Sequence, residues 1–264
     1  MPSTVHLTRP GQQARESASR PSARRRDPWL DNAKMALVTL VVVGHSWVLL
    51  PDSVVKHWFY DFLYLWHVPA FVLVTGYLSR SFAWTRPHLT RLITTVLVPY
   101  LIFEGLLAAF RVGVGGEKLD GLFADPHWPM WYLALLFLWR LATPLLRSPR
   151  ALPITVAVAV LGGLIPAELF DVSRATGLLP FFTLGLLARR EHLEILRTRA
   201  ARVTGILLLA VGFVLAGLVD GRMQTEWLYW RSSYAELGAT FTEGALIKTG
   251  LLVVGTVLGL AFLT

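Results

Sequence analysis

The chain has 264 residues, of which 54% are hydrophobic and only 16% charged, and its mean hydropathy is +0.53. An average soluble domain carries about 25% charged residues, so a soluble globular enzyme is excluded as the default and a polytopic membrane protein takes its place. There is no cysteine, which removes disulfide frameworks, zinc–thiolate sites, iron–sulfur clusters and a cysteine nucleophile.

The formal net charge is +8. Residues 1–34 hold seven Lys/Arg against three Asp/Glu, half of that charge in an eighth of the chain. A basic tail of this kind can meet nucleic acid or an anionic surface. Next to a membrane span it reads as an orientation signal, and no nucleic-acid partner is expected. Residues 1–28 are rich in Ser, Pro, Arg, Gln and Ala and poor in large apolar residues, the composition of a disordered cytoplasmic tail. Arg24-Arg25-Arg26 precedes an apolar stretch, but no small-x-small cleavage site follows, so the first span is read as retained.

Residues 29–264 form one transmembrane domain with eight apolar segments: about Ala33–Leu50, Trp58–Leu78, Leu89–Phe110, Pro129–Leu146, Leu152–Phe170, Ala175–Leu187, Val203–Val219 and Ala245–Leu263. All but the sixth approach the roughly 20 residues a helix needs to cross a bilayer; the sixth is short and holds Pro180. The segments lack barrel-like alternation, so the expected fold is all-α, a bundle of about eight transmembrane helices. With the N-terminus inside, 17 basic residues fall on inner segments and seven on outer loops, among them Arg174 and Lys248; Arg140 lies within a span. That split predicts a cytoplasmic N-terminus in a multi-pass plasma-membrane protein. Most acidic loop residues, such as Asp120, Asp125 and Glu168, fall outside, and the largest outer loop, about Asp220 to Gly244, is too short for a separate domain.

Chemistry is sought among the polar residues of the spans, each of which needs a partner or a water-filled cavity. In the first span Lys34 and His45 are eleven residues apart, hence on one helix face and roughly 16 Å apart along the axis. Asp31 falls near the same face, so the span carries a polar stripe from the inner surface to a histidine deep in the membrane. A neutral imidazole suits general-base work on a hydroxyl; a histidine that only hydrogen-bonds a neighbouring helix fits the stripe equally well, and Lys34 can simply snorkel. In the second span His67 precedes Pro69 and the Thr75-Gly76-Tyr77 turn, and helix packing competes with a second functional imidazole. Glu104 of the third span and Arg140 of the fourth can pair across helices or bind a charged substrate. Trp128, Trp131 and Tyr132 read first as an interfacial aromatic belt, then as a sugar platform.

There is no Walker loop, dinucleotide fingerprint or nucleophile elbow. No His/Asp/Glu pair has metal-site helix spacing, so no metal is expected. His6, His57, His88, His127 and His192 fall in the tail or loops and are read as solvated.

Trp29-Leu30-Asp31-Asn32-Ala33-Lys34, leading to Leu40-Val41-Val42-Val43-Gly44-His45, resembles the first span of the membrane acyltransferase 3 family, especially its fucose 4-O-acetylase-like branch. The family carries a basic residue, ten intervening residues and a histidine, matched here by Lys34 and His45. His67-Val68-Pro69-Ala70-Phe71 through Thr75-Gly76-Tyr77-Leu78 is similar to its second-span motif, with Thr75 where Ser is common. Trp131-Tyr132-Leu133 is similar to its Trp-Phe/Tyr-Leu motif. The resemblance covers about Trp29 to Leu146 and rests on hydropathy beyond.

It implies an O-acyltransferase that moves an acyl group, usually acetyl, from acetyl-CoA or another acyl-CoA to a hydroxyl of a sugar, polysaccharide, lipid-linked or other cell-envelope acceptor, with membrane lipid as surroundings and no bound cofactor. His45 would be the catalytic imidazole. Lys34, in place of the usual Arg, would help place the donor from the inner side, with Asp31, Asn32 and Tyr77 in support; His67, Glu104, Trp131, Tyr132 and Arg140 are the further pocket candidates. The family has about ten spans and a late Gly-x-x-Ser-Leu-x-x-Tyr-x-x-His-like segment, so this chain is expected to be incomplete at its C-terminus. The competing class is a proton-coupled transporter or flippase of a small polar or lipid-linked substrate, with His45, Glu104 and Arg140 as its path; the absence of internal repeats weighs against it.

Overall fold

The computed structural model describes residues 27–117, 126–127, 130–166, 171–219 and 221–264. Residues 1–26 of the expected tail, Asp120, Asp125, Trp128 and Glu168 therefore lie outside the described residues. Those described form helices and no strand.

In chain order the helices are α1 (Pro28–Ser46), α2 (Val54–Ser79), α3 (Arg86–Gly113), α4 (Trp131–Ala142), α5 (Ala151–Gly162), α6 (Val172–Leu187), the short α7 (Arg190–Leu196), α8 (Arg199–Val219) and α9 (Phe241–Phe262). A 3-10 turn, Trp47–Leu49, extends α1; another, Thr225–Tyr229, lies between α8 and α9; α3 contains a π-helical stretch, Ile93–Leu97. Five of these helices are long and apolar enough to cross a membrane: α1 with its 3-10 extension, α2, α3, α8 and α9. The fourth, fifth and sixth apolar segments give shorter helices of 12, 12 and 16 residues. Chain chemistry sets their ends: Pro144 follows α4 closely, and Gly162-Gly163 with Pro166 closes α5.

Local signals account for the starts. Asp27 caps α1 by accepting from the Trp29 N–H at 3.2 Å, with Pro28 in the first turn, where its missing donor costs nothing. Ser53 caps α2, and Thr240 and Glu243 form a reciprocal capping box on α9.

Helix α2 is the axis of the bundle. Helices α1, α6, α8 and α9 pack around it, α5 lies behind α6, and α4 bridges α6 and the π-helical stretch of α3. The α2–α6 contact is backbone against backbone. A Cβ added at Gly76 would run into the Phe182 carbonyl, and one at Gly185 into the Leu73 carbonyl and the Tyr77 N–H. Pro69 inside α2 frees the Leu65 carbonyl, and Gly255 of α9 leaves room beside it. In contrast α1, α8 and α3 keep most of their apolar surface outward, including Val42, Ile206 and Phe103, as helices facing lipid do.

The loop between α8 and α9 folds into the core. Trp227, Leu228, Trp230, Tyr234 and Leu237 are buried in the main core cluster, because burying several aromatic rings outweighs exposing them as a loop. Arg174 and Lys248, counted from sequence among outer-loop cations, lie inside helices at 9% and 3% exposure.

A clash at the α2–α6 seam should be felt globally. Gly185→Val is expected to lower thermal stability in detergent strongly, by the cost of overpacking, about 1–3 kcal/mol or more. Gly105→Ala, where an added Cβ meets nothing within 4 Å, should melt like the native chain. Equal melting of both variants would disprove the seam.

Candidate functional site

At the end of the bundle where α1 begins, a cavity of about 1570 Å³ opens between α1, α2, α3 and α7. Five cations line it, Lys34, Arg80, Arg91, Arg190 and Arg197, against three carboxylates, Asp27, Asp31 and Glu194. Lys34 and Asp31 form an ion pair of 2.7 Å, both part-exposed. Tyr77 also lines the cavity; its hydroxyl accepts from Arg80 at 2.8 Å, and the Arg80 guanidinium lies 3.8 Å from the ring centroid. Arg197 of α7 donates to the Asp27 carboxylate and covers the Trp29 ring at 4.8 Å. Asn32 is exposed and does not line this cavity.

Further along α1, in its last turn, stands His45. Gly44 lets α1 lie on α2: a Cβ there would sit 3.1 Å from the Tyr64 ring and 3.4 Å from Leu63. That contact falls ten residues into α2, about 15 Å below its start, so the end of α1 is inside the bundle rather than at its rim. His67 is 2% exposed, and its Nδ1 donates to the Leu63 carbonyl at 2.7 Å. A carbonyl only accepts, so the proton is assigned to Nδ1 and Nε2 keeps its lone pair. His45 and His67 lie on the two helices that meet at Gly44.

Tyrosines extend from His67. Tyr64 meets the His67 ring edge-on at 4.8 Å, Tyr60 stacks on Tyr64 at 4.2 Å, and the Tyr229 hydroxyl donates to that of Tyr60 at 3.2 Å. Burial pushes the Tyr229 phenol up, which keeps it a donor at neutral pH. Tyr60, Tyr64 and His67 follow the i, i+4, i+7 spacing of one helix face, a signal available in the sequence and missed there. Tyr229 comes from the folded-in loop and had no such signal. Next to it Arg174 donates to the Tyr229 carbonyl at 3.1 Å, pairs with Asp171 at 3.2 Å and lies 4.5 Å from the Trp131 ring.

The remaining candidates separate. Tyr132 shares a 2.6 Å hydrogen bond with Thr75, which ties α4 to α2. Glu104 is buried and accepts from the His127 backbone N–H at 2.8 Å, whereas Arg140 donates to Ser79 at 3.1 Å. The expected Glu104–Arg140 pair does not form. Successive helices run in opposite directions, so Glu104, late in α3, is at one end of the bundle and Arg140, late in α4, at the other. The same separation breaks the polar path from His45 through Glu104 to Arg140. Among the described residues no group of three His, Asp or Glu side chains is placed to hold a metal ion.

A sequence model of the family described as acyltransferase domain (acyltransferase 3) matches residues 27–257. No curated protein and no solved structure matches the chain.

The Asp27 cap is open to a pH test. The hydrogen bond from Arg197 holds the Asp27 carboxyl below its usual range. Its contribution is therefore complete above the unfolded carboxylate pKa of about 3.9 and is lost as pH falls through the lower folded value. Melting curves of the native chain and Asp27→Asn should differ at neutral pH and merge as pH falls through the lowered folded value, by a small amount because the pair is partly solvated. A difference that persists at the lowest pH would overturn this account.

Proposed function

Since the chain belongs to the acyltransferase 3 domain family and is an acyltransferase with membrane-type helices, we propose that it moves an acyl group, acetyl in the first place, from acyl-CoA to a hydroxyl of a sugar, polysaccharide, lipid-linked or other envelope molecule, as expected of the fucose 4-O-acetylase-like branch. One observation carries the reading. Helix α1 joins the wide cationic cavity, which Lys34 lines, to His45, next to the Gly44 contact with Tyr64 on the helix that carries His67.

In this reading α1 starts on the cytoplasmic side of the plasma membrane, and α4, α5 and α6 with their flanking turns complete eight spans. The anionic donor enters the cavity beside Lys34, Arg80 and Arg197, where cations raise its local concentration. The distance along α1 from Lys34 to His45, about 16 Å, is of the order of an extended pantetheine arm, so the thioester reaches the histidine while the nucleotide stays at the mouth. The acceptor comes from the opposite side, past Tyr60 and Tyr229. His45 takes the hydroxyl proton as that oxygen attacks the thioester carbonyl; the tetrahedral centre then collapses, the C–S bond breaks, and the thiol leaves with the proton returned by His45. The carbonyl-bound Nδ1 of His67 fixes the second ring, which makes it a positioning group beside the first.

The test is label transfer from radiolabelled acetyl-CoA into envelope glycans or lipids, in membranes holding this chain at matched levels. His45→Ala should lose about 10²–10⁴ of the rate, the usual contribution of a general base. His67→Ala should lose less. Equal labelling by native and His45→Ala chains would overturn the role of His45.

A further inference from the structure

A second, smaller cavity adjoins the first. It holds about 390 Å³ between the end of α2, the start of α3 and the end of α4, and is lined by Ser79, Ser81, His88, Arg91, Thr95 and Arg140 among others. It shares Leu78, Ser81 and Arg91 with the large cavity, so the two are continuous. Unlike that cavity, it has no acidic residue in its lining.

Its two guanidinium groups, Arg91 of α3 and Arg140 of α4, line the same cavity. Arg140 spends its Nε on Ser79, and among the described residues no carboxylate pairs with either Arg140 or Arg91. Two like charges facing one partly buried space, with no protein counter-charge, are a standing electrostatic cost that an anion would remove.

Among the other polar groups His88 adds a donor. The Ala83 N–H donates to Nδ1 of His88 at 3.0 Å, which leaves the His88 Nε2–H free to donate; this histidine belongs to α3, not to a solvated loop as read from sequence. Ser79 is committed to the Thr75 carbonyl at 2.8 Å, so it presents its oxygen to Arg140 and fixes the planar fork. The π-helical stretch Ile93–Leu97 carries Thr95 onto the cavity wall, and such stretches cluster at functional sites.

We propose that the cavity between Arg91 and Arg140 is a phosphate site. Forked guanidinium donors from two helices, with the His88 N–H and the Ser81 hydroxyl on the same cavity wall, match the geometry and charge of a phosphate monoester. One source is the ribose 3′-phosphate of the acyl-CoA donor, which rests on the function proposed above. A phospholipid phosphate and free phosphate present the same chemistry. If the donor is the source, this pocket reads its nucleotide end while the thioester points toward His45, and it selects coenzyme A thioesters over shorter pantetheine thioesters.

The experiment is binding to the purified full chain in detergent, with adenosine 3′,5′-bisphosphate, adenosine 5′-monophosphate and inorganic phosphate as probes, and in nanodiscs with phosphatidic acid against phosphatidylcholine. The bisphosphate is expected to bind at least about tenfold more tightly than the monophosphate, the size of a charge-assisted contact. Arg140→Gln should erase that difference, and Arg91→Gln, an exposed position that leaves the helix packing intact, should weaken it independently. His88→Phe, which keeps the ring stacked on Phe82, serves if Arg140→Gln melts early. Arg140-dependent binding of phosphatidic acid or of phosphate alone, with no nucleotide binding, would uphold the phosphate site and count against the acyl-CoA reading. If no probe loses affinity in any folded variant, the phosphate site is wrong, whatever the fate of the proposed function.

Discussion

Two glycines, Gly76 on α2 and Gly185 on α6, let the backbones of the two helices touch, and the placement of the other elements follows from that contact. In an apolar surrounding, helix association draws on close packing and interhelical hydrogen bonds more than on the hydrophobic effect, so a small-residue seam is the strongest positional device available. It sets the register between α2 and α6. That register puts Phe182 against Trp139 of α4 and Phe181 near Gly255 of α9. Trp139 in turn donates to the Ala175 carbonyl at 3.0 Å, so α4 is fixed to α6 by its ring and to α2 by Tyr132 and Arg140.

Helix α2 serves both ends of the molecule. Its first half carries Tyr60, Tyr64 and His67 toward the end of α1, and its last turn carries Tyr77, Ser79 and then Arg80 toward the two cavities. Pro69 divides the halves at the point where α9 comes near the freed Leu65 carbonyl. Helix α1 repeats the arrangement with Lys34 and His45. The cationic cavity and both histidines are thereby held on the same two helices, the arrangement that the proposed transfer reaction needs.

The loop after α8 completes the core at the end opposite the cavities. Trp230 is held at φ +62° and is nearly fully buried against Gly177 and Phe181. Asp171, at φ +50°, receives Arg174 and Arg231. A left-handed conformation at such residues costs on the order of 1–3 kcal/mol each. Burial of the indole offsets it at Trp230, and two arginines offset it at Asp171. Lys248 is buried beside the same ring system, 5.6 Å from the Tyr234 centroid. The tyrosine cluster at His67 is thus roofed by packed aromatic residues rather than by a loose loop.

Hydropathy and spacing by themselves determined the all-helical class, the place of most apolar segments, though the helix of the fifth ends at Gly162 rather than Phe170, and the polar stripe of Lys34 and His45 on one face of α1; the motifs of the first, second and fourth segments carried the family resemblance. These depend on neighbours in the chain, and a helix places residues three, four or eleven apart without reference to anything else. Tertiary structure alone decided which polar residues meet. Glu104 and Arg140 looked like partners because both are charged and lie in adjacent spans, yet antiparallel helices carry them to opposite ends. The helices that carry His45 and His67 meet because Gly44 lets α1 lie on Tyr64. Tyr229 and Arg174 joined them through a loop whose aromatic residues are more stable inside the core than outside it. The pairing of distant residues is set by helix direction, register and close approach at glycines, and none of the three is a property of one segment read alone.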